Sequence, residues 1–109
     1  MALQVDLRGE EINFIHRQGC AIGFTVTPKS TMDWSGYSFS YDIEDSSGTS
    51  QLSATSDDSD IVVSGQNLIL GVTNLELDVG SYKHSFKYWN NSDYKYELFW
   101  GDFKEKAGV

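Results

Sequence analysis

The stretch "YSFSYDI", residues 37 to 43, constrains the fold more than any other part of this sequence. Tyr37, Phe39, Tyr41 and Ile43 alternate with Ser38, Ser40 and Asp42. Successive side chains of an extended chain point to opposite faces, so this segment is predicted to be a strand with one packed face and one wet face. The same period recurs in "CAIGFTV" (20 to 26), where Cys20, Ile22, Phe24 and Val26 share a face. Val5 and Leu7 mark a first strand, and Ile12 and Phe14 in "EINFI" a second. "IVVSGQNLILGV" (61 to 72) breaks at Ser64-Gly65-Gln66 into two short strands, a hairpin pattern. No window carries a sustained 3.6-residue apolar period.

Turn signals separate these segments at Gly19, Gly36, Gly48, Gly65, Gly80 and Asn91. "TMDWSG" (31 to 36) is predicted to turn, with Trp34 capping one end of the core. The polar stretch 44 to 60 is read as two turns around a short edge strand, because Leu52 and Ala54 alternate inside it. Residues 73 to 82 form a loop with Leu75, Leu77 and Val79 pointing inward, closed by a tight turn at Gly80. Together these signals predict an all-β fold, a small antiparallel immunoglobulin-like β-sandwich of seven to nine strands. Residues 1–109 make one domain, with 104–109 a frayed tail. The expected core includes Phe24, Tyr37, Phe39, Tyr41, Leu70, Tyr82, Phe86, Leu98 and Phe103.

Residues 81 to 103 hold nine of the fifteen aromatic residues, a run that suits a sugar-binding platform, a base-stacking surface, a subunit interface or a core. Alternation places Tyr82, His84, Phe86 and Tyr88 on one face of a strand. After a reversal at Asn90 to Asp93, Tyr94, Tyr96, Leu98 and Trp100 share a face of the returning strand. Pairing those faces makes the run mainly core, with cross-strand pairs contributing roughly 0.2–1 kcal/mol each. Trp89, Phe99 and Tyr94 are left on a mixed face or near the tip. With Trp34 they are the candidate interface or ligand platform, since aromatic residues are enriched in interface cores.

Sixteen acids against eight bases give a net charge of -8, which disfavours nucleic acid and anionic membranes as partners. Cys20 is the only cysteine, so no intramolecular disulfide forms. The opening "MALQVDLRGE" lacks the apolar region of a signal peptide. No phosphate loop, HExxH or paired-cysteine motif occurs, and neither His16 nor His84 has a nucleophile at motif spacing. The residues therefore point to a binding or structural module, not an enzyme, with no cofactor. Asp57, Asp58 and Asp60 supply oxygens for an alternative calcium site. They lack the central glycine and bidentate glutamate of an EF-hand loop.

Two motifs carry a family resemblance. The first is Phe24 followed by "DWSGYSFSYDI" (33 to 43); the second is "GSYKHSF" (80 to 86) with "LFWGDF" (98 to 103). Their order resembles β-sandwich modules of bacteriophage virion proteins, namely the N-terminal domain of baseplate upper proteins and related minor tail proteins. The chain departs from that pattern at Ser85, where an Asp often stands, and in an Asn-rich hairpin tip. The resemblance implies a virion structural or adaptor protein of a baseplate, tail or head attachment. Such a protein is made in the host cytoplasm, has phage structural proteins as partners, and permits a homotrimer. The alternative reading is a non-catalytic carbohydrate-binding module.

Overall fold

A computed structural model describes residues 2–7, 9–91 and 94–108. Ten strands run in chain order: β1 (Ala2–Val5), β2 (Glu10–Glu11), β3 (Phe14–Arg17), β4 (Ala21–Pro28), β5 (Ser38–Glu44), β6 (Ser50–Thr55), β7 (Ile61–Ser64), β8 (Asn67–Asn74), β9 (Gly80–Asn91) and β10 (Tyr94–Lys106). They form an all-β fold of two sheets, and no helix occurs among the described residues. The first sheet has the order β1-β4-β8-β7; the second has the order β2-β10-β9-β5-β6, with β3 also on β10. Contacts between strands that follow one another are antiparallel, as in β5–β6, β7–β8 and β9–β10. The three N-terminal strands instead pair in parallel, β1 with β4 and both β2 and β3 with β10.

One strand more than expected arises because "EINFI" splits in two. At the break, the Ile12 amide donates to the Trp100 carbonyl, and Asn13 Oδ1 accepts from the Asp102 amide, each at 2.8 Å. The Asn13 side chain thus replaces a backbone ladder bond where the chain kinks. A side chain on Gly101 would overlap the Ile12 carbonyl oxygen and Asn13 Oδ1, so the kink needs a glycine beneath it.

The inner faces share one core. Phe24 is the ring the first sheet contributes to an aromatic cluster on the second. It meets Tyr41 edge-on at 5.0 Å and lies about 6 Å from Phe86 and Phe99. Such geometry is worth about 0.5–1.5 kcal/mol per pair beyond area burial. Trp34 closes one end, edge-on to Phe39 and Tyr88, and its indole N–H donates to the Gln66 carbonyl at 3.1 Å. Of the expected core, Phe24, Phe39, Tyr41, Leu70, Phe86, Leu98 and Phe103 are buried, while Tyr37 and Tyr82 pack against it half-exposed.

Four expectations are corrected. Cys20 is exposed in the turn before β4 and does not join the apolar face. Val79 points to solvent, although Leu75 and Leu77 are buried. Gly80 opens β9 and makes no tight turn there. Residues 104–106 belong to β10, held between β9 and β3, and Glu105 is 1% exposed; that part of the chain is not frayed.

Candidate functional site

The aromatic residues singled out in the sequence do not form a common platform. Trp34 is 4% exposed and Phe99 is fully buried. Trp89 is half-buried on the outer face, with Lys95 Nζ 4.5 Å from its ring centre. The Tyr94 side chain lies outside the described residues, as do Ser92 and Asp93 at the reversal. Phe99 is displaced by a β-bulge. Glu97 pairs with Lys87 and Phe99 with Phe86, so Leu98 is an extra residue on β10. A bulge of this kind shifts alternation by one position. Leu98 and Phe99 are both buried, and every later residue is reversed: Phe103 and Glu105 point inward, and Trp100 points outward, 40% exposed.

Asp57, Asp58 and Asp60 do not converge on an ion either. Among the described residues, no three His, Cys, Asp or Glu side chains are grouped to hold a metal. Asp58 Oδ2 accepts from the Thr55 hydroxyl at 3.1 Å, and Asp60 Oδ2 faces the Thr55 amide at 3.4 Å. These carboxylates shape the turn between β6 and β7.

The bulge creates an outer-face site that alternation had hidden. Strand register places Ser53, Asp42, Ser85, Trp100 and Glu11 in one row across five strands. On one side of it run Ser40, Lys87 and Glu97; on the other run Glu44, Lys83 and Asp102. Ser85 is the small residue at the centre, and the larger side chains around it leave a cleft of about 330 Å³. Lys83 is ion-paired with Asp102, and the hydrogen bond to Asp102 holds the ammonium above its usual pKa range. The indole of Trp100 rests on the turn after β1. Gly9 has φ of 99°, and a Cβ there would sit 2.8 Å from Trp100 Cζ3. Only a bare backbone fits so close to the ring in that conformation.

Two buried polar groups lie behind this face. His84 Nε2 is 2.7 Å from the Ile12 carbonyl, which can only accept, so Nε2 carries the proton. Nδ1 then accepts from the Tyr41 hydroxyl at 2.8 Å. Phe14, Phe99 and Phe103 surround the imidazole. His84 is thus a satisfied, neutral core histidine, as the sequence suggested, and burial lowers its pKa while the Ile12 carbonyl opposes the shift. The unfolded chain takes up this proton near pH 6.5; the folded protein does so only at lower pH. Below about pH 6.5 the unfolded state therefore binds more protons, and stability falls as pH falls, by at most about 1.4 kcal/mol per pH unit for one proton. Urea unfolding between pH 7.5 and 5.5 is expected to show this loss, with a shallower slope in His84→Gln. Equal slopes would refute it.

The second buried group is a pair. His16 Nδ1 and Glu105 Oε1 lie 2.6 Å apart at the paired ends of β3 and β10. Their other polar atoms, His16 Nε2 and Glu105 Oε2, are buried and meet no hydrogen-bond partner among the described residues. The spacing of 89 positions between the two gave the sequence no means of joining them.

On the first sheet, aliphatic groups are exposed. Strand β7 is an edge, paired only with β8. Val62 and Val63 on it are 51% and 42% exposed, and Val72 on β8 is 81% exposed. Val72 lies where β8 bulges opposite Gly23, whose missing side chain admits it.

No protein-family model matches this sequence, and no curated protein matches it.

Proposed function

We propose that this protein is a non-catalytic structural or adaptor module of a bacteriophage particle, in a baseplate, tail or head attachment, working through protein–protein contacts. In this reading the two sheets form an immunoglobulin-like sandwich. The observation that carries the proposal is the open edge strand β7 together with exposed aliphatic side chains, Val62 and Val63 on that strand and Val72 on its neighbour β8. An unpaired edge with apolar neighbours invites another chain and is ordinarily covered or blunted by charge. The resemblance around Asp33–Tyr37 and Gly80–Phe103 supplies the particle as the partner, and symmetric association of several copies fits such a setting.

The test is whether the protein co-sediments with purified virions and labels one location by electron microscopy. Val62→Asp and Val72→Asp are expected to lower its incorporation several-fold while leaving the far-ultraviolet β-spectrum unchanged. Absence of the wild-type protein from purified particles would refute the proposal.

A further inference from the structure

We propose that the Trp100 cleft on the outer face of the second sheet is a binding site for an uncharged saccharide. Nothing in this inference depends on attachment to a particle, and the cleft lies on a different sheet from the aliphatic edge.

Trp100 supplies the apolar half of the site. Trp100 is 40% exposed and its indole packs against Gly9, a contact that restrains the ring before any ligand arrives. A rigid, half-exposed indole offers a flat apolar surface, and fixing it in advance removes the ordering cost of binding. The C–H face of a pyranose is the complementary surface on a polyhydroxylated ligand.

The remaining residues supply the polar half. Ser85, directly opposite Trp100, is short enough to form a floor. Asp42, beyond Ser85, and Glu11, beyond Trp100 at the other end of the row, are acceptors. Lys87 and Lys83 flank the floor as donors. Donors and acceptors thus alternate around the Ser85 floor beside one apolar ring, the pattern that hydroxyl groups satisfy because each both donates and accepts.

Charge narrows the choice of ligand. The acids Glu11, Asp42, Glu44 and Glu97 line the cleft, which disfavours phosphates, carboxylates and acidic sugars. Lys83 and Lys87 on either side of the floor offset half of these four charges, so a cationic ligand is the competitor that the test must separate. The volume of about 330 Å³ lies at the small end of the range for ligand pockets, enough for one or two sugar rings.

Affinity electrophoresis of the full chain through gels containing one neutral polysaccharide at a time, a β-glucan, a mannan or a galactan, tests the site. Retardation by at least one of them is expected, at least tenfold weaker in Trp100→Ala and weakened in Asp42→Asn. Trp89→Ala should keep it. Because Trp100→Ala removes a ring packed on Gly9, its fold is checked by circular dichroism; Asp42→Asn and Lys87→Met, both on the wet face, provide the test if that variant misfolds. Lack of retardation by every polysaccharide, or retardation that survives both Trp100→Ala and Asp42→Asn, would overturn the proposal. Displacement of bound polysaccharide by an arginine-rich peptide but not by free monosaccharide would also overturn it, in favour of a basic protein ligand.

Discussion

Phe99→Ala is expected to destabilise the domain by about 3–5 kcal/mol, the range for truncating a fully buried large ring. Phe99 has no exposed surface and stacks on Phe86 at 5.5 Å with 28° between the planes. Phe14, Phe24, Tyr41 and His84 complete its surroundings. Few neighbours can collapse into the space, since β9 and β10 are pinned by their ladder on both sides of the bulge. Trp89→Ala is the comparison. It removes a half-buried ring and its contact with Lys95, and cation–π contacts at exposed sites contribute only about 0.5–1 kcal/mol. Urea unfolding of both variants reads the difference. If Trp89→Ala costs as much as Phe99→Ala, the bulge that turns Phe99 inward is misplaced.

His16→Phe and Glu105→Leu are each expected to cost about 3–5 kcal/mol, yet the double variant is expected to recover most of that loss. Removing one member of a buried polar pair strands the other without a partner, whereas replacing both with apolar groups removes the desolvation penalty as well. His16 is 9% exposed and Glu105 is 1% exposed, so solvent cannot serve either one well. The unpartnered second atoms of both residues strengthen the expectation. Equilibrium unfolding of the four proteins at one pH gives the coupling. Additive losses would mean that the two side chains act independently despite their 2.6 Å contact.

How much of this was legible in the sequence depends on the range of the signal. Alternation in "YSFSYDI" and "CAIGFTV" located β4 and β5, and the edge strand around Leu52 and Ala54 followed from two residues in a polar stretch. Those patterns are local, and local geometry obeys them. In "LFW", by contrast, all three residues are apolar, so alternation has no contrast to work with and the extra residue at Leu98 passes unseen. Three consecutive large apolar residues late in a strand were the available signal that alternation fails there. That single unseen residue exchanged the places of Phe99 and Trp100, moving the candidate site from one ring to its neighbour. The parallel contacts of β2 and β3 with β10, and the pair His16–Glu105, were out of reach for another reason. Pairing between distant segments leaves no periodic trace in either one.

The partnership of β3 with β10 also dictates when this protein can finish folding. Residues 14–17 pair with residues 103–106 and with no other strand among the described residues. A ribosome delivers Phe14 and His16 well before their partners, Phe103 and Glu105. At about 5–20 residues per second the 89 positions between His16 and Glu105 take roughly 4–18 s to make. Throughout that interval the second sheet lacks Phe99 and Phe103, and β2 and β3 stay unmatched. The antiparallel hairpins can assemble as they emerge, since their turns are short. Closure of β2 and β3 onto β10 must wait until residues 99–106 have been made. The long loop it closes adds little cost, because closure entropy grows only with the logarithm of length. Synthesis order, more than stability, therefore makes the nascent chain vulnerable, and β2 and β3 are the strands left longest without a partner.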